Sequence, residues 1–257
     1  MIEKKEVYLS CFHMMRTLHI YLPADYDRSR KRYPVLYMYD GHNLFYDEDA
    51  TFGTCWGLRQ FLERQKHDII VIGIECNHEG NNRLAEFSPY SFQDKEVGRI
   101  EGLGAILMDW VVKELKPWVD HTYRTKKGRK DTSIMGSSMG GLMALYTILH
   151  HNKTFSKAGC LSCFLTPLMA DIIHELEESS LATDTRVFIS WGSDEFRSKS
   201  SLAYGSERNL SIANELRRHG AIVYPYLHLK GKHNEASWRK ELPILFPFLY
   251  DKDPSNG

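Results

Sequence analysis

Three residue types that can work together as nucleophile, base and orienting acid occur along this chain in a fixed order. Ser138 lies in Gly136-Ser137-Ser138-Met139-Gly140, an acid pair Asp194-Glu195 follows Gly192-Ser193, and His233 lies in Gly231-Lys232-His233-Asn234-Glu235. A serine hydroxyl is a poor nucleophile near neutral pH and needs a base. An imidazole supplies the base, and a carboxylate fixes its tautomer and stabilises its charged form. Gly-x-Ser-x-Gly arises by composition alone about one time in ten in a chain this long, so its weight rests on its setting. The apolar run Thr132–Met135 leads into it, and Leu142, Leu145, Ile148 and Leu149 follow at helical spacing. A sharp strand-to-helix turn of this kind lifts its central side chain clear of the sheet. Gly136 and Gly140 are expected where a side chain would collide with neighbouring backbone.

The elements that must hold these residues follow from periodicity. Residues 6–10 and 16–22 read as strands joined by a turn, and 34–39 as a buried strand ending at Asp40-Gly41-His42-Asn43. Helical spacing covers 56–65, and 68–74 is a nearly continuous apolar strand whose two faces must both be covered. Residues 75–103 form a polar, glycine-containing region too long for a plain connector. Ile106, Leu107, Trp110, Val111, Leu115 and Trp118 form an amphipathic stripe. After the serine turn come a strand at 157–162, a helix at 167–178, a strand at 186–191, a helix at 207–219, a strand at 221–228 and a helix at 236–249. Strands alternating with helices specify a mostly parallel sheet with helices on both faces, here with an antiparallel N-terminal start. No repeat or low-complexity linker divides the chain, so residues 1–257 are expected to form one domain. In such a sheet ligands meet the loops at the carboxyl ends of the strands, where all the residues named above fall.

Composition narrows the function. Lys+Arg and Asp+Glu balance at 33 each, so no global field recruits nucleic acid or an anionic membrane. No apolar run approaches a membrane span. A charged start, Met1-Ile2-Glu3-Lys4-Lys5-Glu6, and five cysteines without framework spacing point to a cytoplasmic protein. Cys160-x-x-Cys163 stands without a second pair and reads as packing. Twelve histidines include no His-Glu-x-x-His and no clustered ligand spacing, so a metal hydrolase is disfavoured and no metal or cofactor is expected. A binding protein that keeps the fold without turnover would normally lack the serine or the histidine, and both are present. The order Ser, acid, His is that of α/β hydrolases.

Six motifs occur in an order that resembles one esterase family of α/β hydrolases. They are Tyr39-Asp40-Gly41-His42-Asn43-Leu44-Phe45, Arg83-x-x-Glu86-Phe87-Ser88-Pro89, Glu114-Leu115-Lys116-Pro117-Trp118-Val119-Asp120, Tyr123-Arg124-Thr125, the serine turn, and His233-Asn234-Glu235. That family includes feruloyl and acetylxylan esterases, S-formylglutathione hydrolases, siderophore esterases and mycolyltransferases. The resemblance implies Ser138 as nucleophile, His233 as base and Glu195, three residues after Gly192, as acid. It implies an oxyanion hole made by the backbone N–H groups of His42 and Met139, with Trp56 and Arg83 lining the substrate pocket. The implied activity is a serine carboxylic-ester hydrolase acting through an acyl-enzyme on small acyl or hydroxycinnamoyl esters of carbohydrates. Thioester or siderophore-ester hydrolysis is the alternative. The expected partner is a small-molecule ester, with self-association left open.

Overall fold

The computed structural model describes residues 1–251. The chain begins with a hairpin of β1 (Ile2–Leu9) and β2 (Met14–Tyr21), followed by β3 (Val35–Tyr39), α1 (Leu58–Gln65) and β4 (Ile70–Ile74). The long polar region holds a short helix α2 (Asn82–Glu86) and a small separate hairpin of β5 (Phe92–Asp94) and β6 (Gly98–Ile100). One helical rod follows, made of α3 (Gly104–Trp110), a π turn at Val111–Leu115 and α4 (Lys116–Thr122). Then come β7 (Thr132–Ser137), α5 (Met139–His150), β8 (Lys157–Leu161), α6 (Met169–Glu178) and β9 (Arg186–Gly192). The chain ends with α7 (Lys199–Arg218), β10 (Ile222–His228), α8 (Glu235–Arg239) and α9 (Leu242–Tyr250).

The eight-stranded sheet has the order β1-β2-β4-β3-β7-β8-β9-β10. β1 and β2 are antiparallel and β2 runs antiparallel to β4, while every pair from β4 to β10 is parallel. Strand alternation divides the core into two layers. Val35, Tyr37 and Tyr39 face one layer with the α3–α4 rod, α5, α6 and α7. Leu36 and Met38 face the other with α1, α8 and α9. β4 is buried on both faces, as its unbroken apolar run requires. β10 is largely exposed and carries Pro225, which an edge strand tolerates because one side of it needs no ladder donor.

Several boundaries differ from the sequence reading, each for a local reason. Ile106, expected on the buried stripe, is 48% exposed because α3 turns its Gly104, Leu107 and Met108 side to the core; the rod then widens by one π turn, in which Lys116 N–H reaches Val111 C=O. Widening just ahead of Pro117, which has no N–H to give, keeps both Leu115 and Val119 against the core. α7 starts at Lys199, not near 207, because Ser198 caps it by accepting from Ser201 N–H. The helix expected at 236–249 is two helices, with Pro243 in the first turn of the second. No helix among the described residues is long and apolar enough to cross a membrane.

Candidate active site

β4 lies on one side of β3 and β7 on the other, so successive connections leave the sheet in opposite directions at this point. A crevice opens outside the carboxyl ends of β3 and β7 in such a topology. Ser138 follows β7 directly, with φ 57° and ψ −120°. Holding a non-glycine residue there costs on the order of 1–3 kcal/mol. The surroundings enforce it: Ser138 N–H bonds Leu161 C=O at 2.9 Å, and Phe164 N–H bonds Ser138 C=O at 3.1 Å. The flanking glycines are required by close approach. A Cβ on Gly136 would lie 2.5 Å from the Gly140 carbonyl carbon, and one on Gly140 would lie 2.9 Å from Tyr39 Cβ. Ser138 makes no capping bond to α5, so its hydroxyl is not committed to the helix it precedes.

His233 and Glu195 are brought together by a tie between the loops after β9 and β10, Asp194 N–H to Gly231 C=O at 2.9 Å. His233 Nδ1 lies 3.0 Å from Glu195 Oε2. The other carboxylate oxygen accepts from Gly192 N–H at 2.7 Å and from Ser162 Oγ at 2.6 Å. Ser162 is oriented in turn by Trp238 Nε1–H, which donates to its hydroxyl oxygen at 2.8 Å. Asp194 points elsewhere, its exposed carboxylate accepting from Ser193 Oγ at 3.0 Å. The His233 side chain is 45% exposed, and its ring meets Trp238 edge to face. Among the described residues no hydrogen bond joins Ser138 to His233. Bonds of this kind are often long without substrate and tighten once it binds.

The loop after β3 approaches the serine turn because Met38 pairs in register with Met135. Asp40 adopts a left-handed conformation, φ 57°, and starts the 3₁₀ turn Gly41–Asn43. Gly41 has no room for a side chain, since a Cβ would lie 2.5 Å from Gly73 backbone atoms. Met139 is the first residue of α5, and the first N–H groups of a helix have no intrahelical acceptor. His42 is only 4% exposed, with its Nε2 at 2.9 Å from Thr51 Oγ1. Burial lowers its pKa to about 4, so the ring is neutral at ordinary pH.

Two residues expected at a substrate pocket are committed otherwise. Trp56 is 1% exposed and stacks on Trp238 with ring centroids 5.7 Å apart. It supports the tryptophan beneath His233 and offers no surface to a substrate, a correction that follows from its place in the core layer. Arg83 forms a bidentate pair with Asp40 at 2.7 and 2.6 Å. Burial would raise the Asp40 carboxyl, but the Arg83 charge and its two N–H bonds outweigh that and hold it below the usual range. Arg83 is thus a clamp on the β3 loop, with part of its guanidinium still exposed. Sequence reasoning missed Ser162 and gave Glu235 no role of its own. Glu235 is buried beside His233, and its carboxyl is raised by burial and by the Asp40 charge. Ser162, directly after β8, was legible only as the end of an apolar strand.

Solved structures show the same fold. An IroE-like serine hydrolase from Shewanella oneidensis matches with a TM-score of 0.76 and 19% identity, over 97% of this chain and 79% of that one. S-formylglutathione hydrolase (FrmB) from Staphylococcus aureus matches with a TM-score of 0.68 and 18% identity, over 97% and 96%. The enterobactin esterase FES from Shigella flexneri matches with a TM-score of 0.75 and 18% identity, over 97% of this chain but 59% of that longer one. In sequence the chain is 28% identical to the uncharacterized protein YbbA of Bacillus subtilis (strain 168) over 192 residues, 73% of this chain and 72% of that protein. A family model matches residues 12–249, nearly the whole length, and the chain accordingly belongs to the family described as "Putative esterase" and is an esterase of the α/β-hydrolase fold.

Proposed function

We infer that this esterase hydrolyses carboxylic esters through an acyl-enzyme on Ser138. The observation that carries the reading is the Glu195–His233 bond, made by loops that leave the same edge of the sheet as the serine turn. His233 Nε2 takes the Ser138 proton as Oγ attacks the ester carbonyl. Glu195 holds the other ring nitrogen and stabilises the imidazolium. The negative charge on the former carbonyl oxygen is met by backbone N–H groups of His42 and Met139. The proton then passes from His233 to the leaving alcohol, and a water activated by the same nitrogen releases the acid.

For the acyl group, an apolar cleft of about 500 Å³ supports an aromatic chain of hydroxycinnamoyl type. It starts at Cys163, whose neighbour Phe164 bonds Ser138 C=O, and runs past Leu165, Phe196 and Tyr204 to Arg208 and Asn209. Asn209 Oδ1 is buried there without a partner among the described residues, an acceptor suited to a phenolic hydroxyl. The alcohol is read as a carbohydrate, which the exposed His233 side leaves room for. All five cysteines are free thiols, which supports a cytoplasmic location. A panel of a feruloyl sugar ester, a simple acetyl ester, an acyl-glutathione thioester and a catecholate-serine ester should give the feruloyl ester the highest kcat/KM. The highest value for the thioester or the catecholate ester would transfer the assignment to that class.

The oxyanion donors are separable from side chains by a pair of substitutions. Both His42→Ala and His42→Pro lose the ring, but only proline removes the N–H. The kcat of His42→Pro should fall below that of His42→Ala by about a hundred- to a thousandfold. Equal kcat values in folded proteins would remove this loop from the oxyanion hole.

A further inference from the structure

We propose that His42, Cys76 and His78 form a binding site for a borderline-soft divalent cation of the Zn²⁺ class, beside the loop that follows β3. These residues leave adjacent parallel strands, since Tyr39 pairs with Ile74 at the ends of β3 and β4. One ligand atom from each lies within 4.8 Å of the other two. Cys76 Sγ and His78 Nδ1 are 3.9 Å apart, and the two imidazole rings stand edge to face with centroids 4.6 Å apart. Tetrahedral bonds of about 2.0–2.1 Å to nitrogen and 2.3 Å to sulfur set ligand atoms roughly 3.3–3.6 Å apart. The site is therefore a small contraction away from closure, and the exposed His78 side chain can supply it.

The polar pattern around the cluster points the same way. His42 Nε2 is engaged by Thr51, while its Nδ1 is buried and has no partner among the described residues. A buried nitrogen lone pair or N–H left unmatched is costly, and a cation satisfies the lone pair. His78 uses Nε2 to meet Glu75 Oε1 at 2.7 Å, and the other Glu75 oxygen meets His19 Nε2 at 2.7 Å. A carboxylate on the far nitrogen of a histidine is the usual support of a metal-binding imidazole, because it fixes the tautomer and raises basicity. Two imidazoles and a thiolate select zinc-like ions over Mg²⁺ or Ca²⁺, which prefer oxygen. Binding exchanges the Cys76 thiol proton, released to solvent, for a sulfur–metal bond. Three protein ligands leave a fourth position for water. The cation would tie the His42 turn to the loop after β4, a consequence for catalysis that rests on the oxyanion reading above; binding itself does not.

Cobalt(II) titration of the metal-stripped, reduced protein tests the site without reference to activity. One equivalent should produce a near-ultraviolet thiolate-to-cobalt absorption with visible bands of tetrahedral intensity, both erased by one equivalent of Zn²⁺. Cys76→Ser should abolish the charge-transfer absorption. Glu75→Gln should weaken binding by roughly ten- to a hundredfold. His78→Ala, a change at an exposed position, should do at least as much and serves where a Cys76 variant fails to fold. No saturable absorption in the wild-type protein, or an unchanged spectrum in Cys76→Ser or His78→Ala, overturns the proposal.

Discussion

Ser138→Ala and His233→Ala should each lower kcat for ester hydrolysis by about four to six orders of magnitude, and the double variant should be scarcely worse than either alone. The non-additivity has a plain cause: without the base the hydroxyl is not activated, and without the hydroxyl the base has no proton to take. Both proteins should remain folded. Ser138 is partly exposed and makes no capping bond, so losing its Oγ leaves the turn held by the same backbone bonds to Leu161 and Phe164. The positive φ is equally strained for Ala and Ser, which keeps the stability change small. The His233 ring is nearly half exposed, and its removal uncovers one edge of Trp238. Steady-state rates with purified protein, alongside thermal melts, check both halves. More than about a tenth of wild-type kcat in a folded Ser138→Ala protein would mean that another group attacks the ester.

The sequence made these residues visible because strand–turn–helix punctuation is local. The Gly136–Gly140 turn sits between an apolar strand and a periodic helix, and the Ser, acid, His order survives any loop length. The six parallel strands were legible for the same reason, with β3, β4, β7 and β8 bounded within one or two residues. What stayed hidden is contact between residues far apart in the chain. Ser162 binds Glu195 across 33 positions and Trp238 across 76, and no periodicity encodes either bond. The resemblance places Trp56 at a substrate pocket, but its stacking partner in the same core layer is Trp238, from the far end of the chain. The resemblance places Arg83 there too, and its partner Asp40, 43 residues earlier, is not signalled by any local pattern. His42, Cys76 and His78 showed no ligand spacing in sequence, since β3 and β4 become neighbours only in the folded sheet.

Glu195→Gln should cost about three to four orders of magnitude in kcat, far more than Asp194→Asn, although it removes no atom that packs. The reason lies in the donors around the carboxylate. Glu195 Oε1 accepts from Gly192 N–H and from Ser162 Oγ, whose own oxygen is already taken by Trp238 Nε1–H. Ser162 therefore has its hydrogen directed at Oε1, and both donors require an oxygen there. A glutamine must put its carbonyl oxygen at that position and its NH₂ at the place of Oε2, facing His233 Nδ1. An NH₂ can only donate to Nδ1, which moves the ring proton to Nε2 and leaves no lone pair to receive the Ser138 proton. The fold is kept and the base is silenced by the wrong tautomer. Asp194, exposed and bonded to Ser193, has no side-chain hydrogen bond to His233 among the described residues, and its amide should change kcat by no more than a few-fold. Nitrogen-labelled imidazole NMR of the Gln variant should report the proton on Nε2 where the wild-type ring carries it on Nδ1. A reversed order of the two substitutions would make Asp194 the acid, whereas full activity in both would mean that His233 is oriented by another group.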